Sequence, residues 1–409
     1  MTREFPHLSN IPTPAEKRIA LRITSAAERA LRQGHPWLFD QAITSQSHPG
    51  RVGDLAVIFD KKRRFLAVGL YDPDSVIRVR ILHVGKPASI DQAWFAGKLH
   101  AAAQRRDPLL AADTTGYRLV HGENDGLPGL VVDRYDGTLV VKLYTPAWLP
   151  HLQDVLSALM EVVPANRLVL RLGRSMRQHN LYGLTDGLVL YGDELEAPVH
   201  FMENGLRFEA DLLRGQKTGF FFDQRDNRAR VEKISAGKSV LNVFAYTGGF
   251  SVYAARGGAR EVVSVDVSAP ALEAAVRNMG HNQLATSHEI IADDAFDVLA
   301  RLKAEGRLFD VVIIDPPTFA QKQAQVKSAI VAYQRLTRLG LDVLRPGGTL
   351  VQASCSSRVE AETFFDAVNQ AAIRARRPLQ EIERTGHALD HPIGFKEGSY
   401  LKCLFSVAV

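Results

Sequence analysis

Between residues 20 and 82 the chain runs in short apolar stretches broken by polar clusters. Residues 55–59, 65–70 and 76–82 read as strands, bounded by Asp60-Lys61-Lys62-Arg63-Arg64 and Tyr71-Asp72-Pro73-Asp74. In the last of them Ile77, Val79 and Ile81 alternate with Arg78 and Arg80, the period of a half-buried strand. A helix over 91–106, with Trp94, Leu99 and Ala102 on one face, opens a different style. Strands over 129–133 and 138–144 follow, joined through Asp136-Gly137, a pair that supplies the positive φ of a tight hairpin. A helix over 152–162 and strands over 167–172 and 187–191 complete an α+β segment.

From Val240 onward the pattern becomes repeated strand and helix. Apolar strands over 240–244, 262–265, 289–291, 311–314 and 349–353 alternate with helices up to 255 and over 270–278, 294–304 and 327–344. Continuous apolar strands in this order predict a doubly wound parallel sheet. Residues 398–407 read as one more strand, reached without a long helix. The predicted fold class is therefore α/β, with the doubly wound sheet preceded by a β-rich domain and a small α+β domain. The expected divisions are 1–90, 91–200 and 201–409.

A length of 409 residues suits two or three domains, and 46% apolar with 23% charged residues excludes a largely disordered chain. No apolar stretch is long enough to span a bilayer, and residues 1–10 are polar and broken by Pro6, unlike a signal-peptide core. The expected location is the cytoplasm. Cys355 and Cys403, the only 2 cysteines, exclude a disulfide framework and a four-thiolate zinc site, and no metal is expected. A net charge of +5 is compatible with a polyanionic partner without singling one out.

Chemistry gathers at the predicted strand ends. Phe244-Ala245-Tyr246-Thr247-Gly248-Gly249 lies between a strand and a helix, where glycine lets backbone approach a ligand closely. Asp266, at the end of the next strand, suits the two hydroxyls of a ribose. No G-x-G-x-x-G pattern occurs at this turn, which argues against NAD and FAD. Asp294, in Asp293-Asp294-Ala295-Phe296, can accept from an adenine amino group, with Phe296 as apolar wall; taken by itself, an aspartate here reads more readily as a helix N-cap. Asp315-Pro316-Pro317-Thr318-Phe319 places a stiff extended loop over the same edge. Together these fit S-adenosylmethionine (SAM) better than a dinucleotide.

The chain resembles the bacterial class I SAM-dependent methyltransferases that modify cytosine C5 in large-subunit ribosomal RNA. Lys217-Thr218-Gly219-Phe220-Phe221-Phe222-Asp223-Gln224-Arg225-Asp226-Asn227-Arg228, Ser354-Cys355-Ser356-Ser357 and the tail from His391-Pro392 to Tyr400-Leu401-Lys402 are similar to that family's signatures. Gly34-His35-Pro36-Trp37-Leu38-Phe39 resembles the opening of its PUA domain, an RNA-binding β-barrel. Arg118-Leu119-Val120-His121-Gly122-Glu123-Asn124-Asp125-Gly126 resembles its central domain, although the stretch from Arg167 to Glu203 is shorter than the resemblance leads one to expect.

The resemblance implies a cofactor site of Gln224, Arg225, Phe244, Tyr246, Gly248, Asp266, Asp294, Ala295 and Asp315, with Cys355 and Asp315 in catalysis. It implies RNA as partner, 23S ribosomal RNA or a large-subunit precursor, with no membrane, and it admits a homodimer. Cytosine C5 needs a thiolate at C6 before it becomes nucleophilic. Cys403 sits in an apolar strand and reads as core; Cys355 follows a parallel strand at the cofactor edge, where a small buried residue is an equal reading of the residues alone, and it is the resemblance that makes it the nucleophile. Many relatives that act on RNA cytosine carry a second cysteine where this chain has Pro317. Two alternatives stay open: methylation of an exocyclic amine through the Asp315-Pro316-Pro317 loop, and a non-catalytic RNA-binding assembly factor. Lys61-Lys62-Arg63-Arg64, Arg105-Arg106 and residues 374–377 are candidate RNA surfaces.

Overall fold

The computed structural model describes residues 5–409; Met1 to Glu4 of the polar N-terminal stretch lie outside the described residues. The chain forms two compact units. The first contains the residues up to Gly205 together with Ala210–Phe220 and Leu389–Lys396; the second contains Leu206–Glu209, Phe221–Ala388 and Glu397–Val409.

The first unit holds two sheets. One is six-stranded, built from β1 (Ile19–Ile23), β2 (Trp37–Phe39), β3 (Ile43–Gln46), β4 (Leu55–Phe59), β5 (Phe65–Tyr71) and β6 (Ile77–Val84) in the order β2-β6-β5-β4-β1-β3. Val79 and Ile81 of β6 are buried while Arg78 and Arg80 are half-buried, as the alternation predicts. Helix α1 (Ser25–Arg32) starts where the Thr24 hydroxyl accepts from Ala27 N. The basic turn between β4 and β5 is fixed from within. The buried Asp60 carboxylate accepts from Lys62 N and Arg64 N, both at 2.9 Å, and from the guanidiniums of Arg64 and Arg32.

The other sheet runs β11-β10-β9-β8-β7, from β7 (Gly116–His121), β8 (Leu130–Tyr135), β9 (Thr138–Leu143), β10 (Arg167–Leu172) and β11 (Val189–Tyr191). Helices α2 (Gln92–Ala111) and α3 (Leu152–Val162) pack with its apolar residues around the fully buried Trp148. Leu99 and Ala102 are buried on α2 as expected, while Trp94 is half-buried. In the β8–β9 turn the left-handed residue is Asp136 (φ 54°); Gly137 matters for space, since a Cβ there would stand 2.9 Å from the Asn166 side chain. Arg106 is not an RNA-facing residue. It is fully buried and makes two hydrogen bonds to the Asp125 carboxylate, at 2.9 and 2.7 Å, with Arg118, Ala102 and Asp390 carbonyls taking its other protons. Strand β12 (Val199–Glu203) is held to Thr115 by hydrogen bonds in both directions.

Residues 206–209 of β13 (Leu206–Ala210) belong to the second unit, whose Glu209 accepts from Arg277 and His281. After α4 (Arg225–Lys233) come β14 (Ser239–Val243), α5 (Gly249–Arg256), β15 (Glu261–Asp266), α6 (Ala269–His281) and β16 (Ser287–Ala292). Then follow α7 (Ala295–Ala304), β17 (Phe309–Ile314), α8 (Val326–Asp342), β18 (Leu344–Ser354), α9 (Ala361–Arg374), β19 (Leu379–Thr385) and β20 (Lys402–Ala408). The seven-stranded sheet has the order β16-β15-β14-β17-β18-β20-β19.

Strands β14 to β18 are mutually parallel, and β20 runs antiparallel between β18 and β19. The final strand is thus not reached directly from β18: α9 and β19 intervene. Leu241, Val243, Val312 and Ile314 point to the face covered by α7, α8 and α9, while Asn242 points the other way, to Ser251 of α5. Arg377 is also structural rather than RNA-facing, because its guanidinium caps the carbonyls of Leu341, Leu344 and Arg345.

Candidate functional site

The order of the second unit's sheet reverses direction at β14, with β15 on one side and β17 on the other. Open α/β sheets bind ligands at the carboxyl edge beside such a reversal. Phe244, Asp266, Asp294, Asp315 and Cys355 all lie at or just past the ends of β14 to β18 on that edge. Because β20 is antiparallel, its first residue reaches the same edge: Lys402 pairs with Ser354.

The loop after β14 is strained. Phe244 (φ 64°), Tyr246 (φ 49°) and Gly248 (φ 76°) all occupy the left-handed region, which costs a side-chain-bearing residue on the order of 1 kcal/mol or more. At Gly248 glycine is also a matter of space, since a Cβ would fall 2.6 Å from the Ala275 Cβ of α6. Three contacts hold the loop in this shape. Asp266 Oδ2 accepts from Tyr246 N at 2.8 Å, Val265 O accepts from Ala245 N, and Thr247 O accepts from the Asn278 amide. Below it Asn242, Ser251, Ser264 and His288 form a chain of hydrogen bonds, and burial pushes the His288 imidazole below its ordinary value.

Asp266 is half-exposed; its other oxygen accepts from Ser268 N at 2.9 Å, and each carboxylate oxygen keeps a further lone pair. Asp294 does cap a helix, its Oδ1 accepting from Phe296 N at 2.8 Å, yet it stays exposed at the edge, with Ala295 buried beside it as the first residue of α7. The Phe296 ring lies 4.5 Å from the Arg335 guanidinium. Gln224 and Arg225 are buried at the start of α4. Two ties bring their segment to the edge: the Phe221 and Tyr246 ring centroids are 5.2 Å apart, and Tyr400 Oη donates to Asp223 Oδ2 at 2.8 Å.

Cys355 is half-buried, its sulfur 3.2 Å from Thr318 Oγ1 and 3.8 Å from Pro316 O. Asp315 begins that Pro-Pro loop and is half-buried. Cys403 is fully buried, and desolvation drives its thiol far above the ordinary range. Sequence reasoning assigned no role to Lys402. Its ammonium is buried, donating to Ser356 O at 2.6 Å and Tyr400 O at 3.0 Å, and burial pulls its pKa down to about 8 against the opposing charge of Cys355. Tyr333 was likewise missed: its hydroxyl bridges Ser354 and Ser356 at 2.8 and 3.0 Å and fixes the backbone on both sides of Cys355.

The sequence profile of the S-adenosylmethionine-dependent methyltransferases matches residues 117–393. The chain belongs to this family. A PUA-like domain profile matches residues 21–83 of the methyltransferase. It is 48% identical over 401 residues to a protein of Deinococcus radiodurans named ribosomal RNA large subunit methyltransferase, covering 96% of this chain and 98% of that one. It is 38% identical over 389 residues to ribosomal RNA large subunit methyltransferase I of Pseudoalteromonas translucida, covering 94% and 98%. A solved structure described as a candidate SAM-dependent methyltransferase from Streptococcus mutans matches 95% of this chain and 100% of its own, with a TM-score of 0.80 at 23% identity. Another, a candidate methyltransferase complexed with SAH, gives 0.81 at 23% identity. These two likenesses concern the fold.

SAM is the cofactor of the methyltransferase, and the edge is built to suit it. The close turn at Gly248 leaves backbone bare, acids stand at the ends of successive strands, and the buried Thr247 Oγ1 has no hydrogen-bond partner among the described residues. Replacing Asp266 by alanine removes the candidate ribose acceptor and the acceptor for Tyr246 N together. SAM affinity is expected to fall roughly 10- to 100-fold, since a hydrogen bond to a charged group is worth about 1.5–3 kcal/mol. Calorimetric titration with SAM reads this directly; an unchanged affinity would take Asp266 out of the site.

Proposed function

We propose that this methyltransferase acts on RNA of the large ribosomal subunit and forms 5-methylcytosine through a covalent adduct to Cys355. The observation that carries the reading is a half-exposed thiol at the cofactor edge, touching the Asp315-Pro316-Pro317-Thr318 loop. The names of the relatives, which specify ribosomal RNA of the large subunit, support the substrate class. The division into an RNA-binding module over 1–90, a central domain over 91–200 and a methyltransferase domain over 201–409 belongs to the same reading, as does a cytoplasmic location.

When bound, SAM supplies an electrophilic methyl group on a sulfonium. Gln224, Arg225, Phe244, Tyr246, Gly248, Asp266, Asp294 and Ala295 would bind and orient it, with Asp315 between cofactor and target base. The Cys355 thiolate would add to cytosine C6, breaking the C5–C6 π bond and giving C5 the electron pair with which to take the methyl group, whose bond to sulfur breaks and leaves a neutral thioether. Loss of the C5 proton to a base then reforms the double bond and expels the thiolate. The target base must leave its stack, at a cost of a few kcal/mol unless it already lies in a loop. Phe319 bears on the amine alternative: its ring packs on Tyr333, centroids 5.2 Å apart, instead of standing out to stack on a base. That favours the covalent reading.

Lys402 acts here as a positioning residue whose charge favours the thiolate. Its pKa of about 8 leaves the ammonium present at pH 7 and lost as pH rises past 8. In Lys402→Met, alkylation of Cys355 by iodoacetamide at pH 7 is expected to slow, because losing the neighbouring cation lowers the fraction of thiolate, the attacking form. The pH midpoint of that reaction should move upward, a shift that weakened packing alone would not cause. An unmoved midpoint would show that Lys402 serves only as a strut for Ser356 and Tyr400.

A further inference from the structure

The first unit contains a cavity that no cofactor-site or catalytic residue lines, although Arg63 of the basic turn does. It has a volume of about 410 Å³ and is lined by Ala20, Leu21, Arg22, Ser45 to Ser47, Phe59 and Arg63. That size is ample for a nucleotide-sized ligand.

Its floor follows from strand register. Arg22 of β1 is paired with Ser45 of β3 on one side and Phe59 of β4 on the other, so the three side chains stand in a row on one face. The alternate positions Leu21 and Ile58 are buried on the other face. Strand β3 is the last in the sheet order, so its outer backbone edge borders the row. Arg63 comes from the turn that follows Phe59. It is held left-handed (φ 63°), within the hydrogen bonds that Asp60 makes to Lys62 N and Arg64 N.

The turn leaves the charges there unbalanced. Arg32 and Arg64 are taken up by Asp60, and Arg32 also by Glu28. Arg22 and Arg63 are both exposed, and neither has a carboxylate partner among the described residues; no acid lines the cavity. Two guanidiniums facing a half-buried aromatic ring and a serine hydroxyl match a phosphodiester with its adjoining base. Arginine pairs with phosphate oxygens in a planar fork, and single-stranded bases stack on aromatic faces.

We infer that this cavity holds one nucleotide of single-stranded RNA, its phosphate between Arg22 and Arg63 and its base or ribose against Phe59. The site rests on the RNA reading above and extends it: protein groups that hold phosphates set the register of the strand on the protein without reading sequence.

The test uses the full chain and a fluorescent oligouridylate of about 20 nucleotides, followed by anisotropy across a potassium chloride series. Arg22→Ala with Arg63→Ala should weaken binding about tenfold or more. The slope of log affinity against log salt should become shallower by about 0.7 for each phosphate that is no longer neutralised. SAM affinity should not change, and Arg22→Lys with Arg63→Lys should restore part of the salt slope. On the unaltered protein, a 4-thiouridine oligonucleotide should crosslink to peptides containing Phe59 or Ser45. Unchanged RNA affinity and slope in the alanine variant, or crosslinks wholly elsewhere, would overturn the inference while leaving the RNA reading in place. Displacement of the RNA by poly-glutamate as readily as by unlabelled RNA would assign the cavity to an acidic protein and overturn it too. Failure of the unaltered protein to bind any RNA would bring down both.

Discussion

With Cys355 replaced by alanine, methyl transfer to RNA is expected to fall on the order of a thousandfold or more, to background. SAM affinity should stay within about twofold of the unaltered protein, because the thiol belongs to the reacting centre and not to the cofactor's binding groups. Cys355 touches Thr318 and Pro316, whereas the candidate ribose, adenine and loop groups come from β14, β15 and β16. RNA carrying 5-fluorocytidine should trap the unaltered protein as a covalent complex stable to denaturing electrophoresis. Fluorine cannot leave C5 as a proton does, so the thiolate cannot be expelled. Cys403 offers no substitute nucleophile: it is fully buried, and its thiol is held protonated by desolvation. Substantial turnover by the alanine variant would sink the covalent mechanism and favour attack by an exocyclic amine.

The largest stability effect is expected at Asp125. Its carboxylate takes both ends of the buried Arg106 guanidinium, a further hydrogen bond from Arg105, and His121 N at 2.7 Å. Alanine there leaves Arg106, which is fully buried, charged and uncompensated. Breaking one side of such a pair costs about 3–5 kcal/mol. For a unit of this size that is a drop of roughly 10 °C in the melting of the first unit. Differential scanning calorimetry would show the transition that reports the unit holding Asp125 moving down. Double replacement of Arg106 by methionine and Asp125 by leucine should recover much of the loss, since no buried charge remains. A variant that melts within about 1 °C of the original would mean that water or another group solvates Arg106.

Much of the fold could be read from hydrophobic period alone. The expected ranges 55–59, 152–162 and 167–172 coincide with β4, α3 and β10, because each is a run of apolar residues sharply bounded by turn chemistry. Strand β19 escaped notice for the opposite reason. Its Leu379–Thr385 stretch lies at the sheet edge with no buried residue, so it carries charge where an inner strand would carry valine. Missing β19 also hid α9 and the antiparallel placement of β20. Among the candidate site residues, the acids at strand ends were legible because a βαβ chain delivers every carboxyl edge to one side. Arg106 was misread because Arg105-Arg106 looks like any basic dipeptide. Its partner, Asp125, is brought to it by tertiary packing that no local pattern reports. Lys402 was invisible in the same way, since its place beside Ser354 exists only through a pairing across the sheet.

That pairing also bears on how the protein is made. Strand β18, and with it Cys355, leaves the ribosome before β20, which covers its open edge. Until then the nascent sheet presents an unpaired apolar edge, a template for misassembly. If Lys402 favours the thiolate as proposed, the thiol over the same interval lacks the cation that promotes its ionised form. Closure of the sheet and arming of the nucleophile would therefore be a single event late in synthesis, so that a stalled or prematurely folded chain carries a cysteine poorly able to attack RNA.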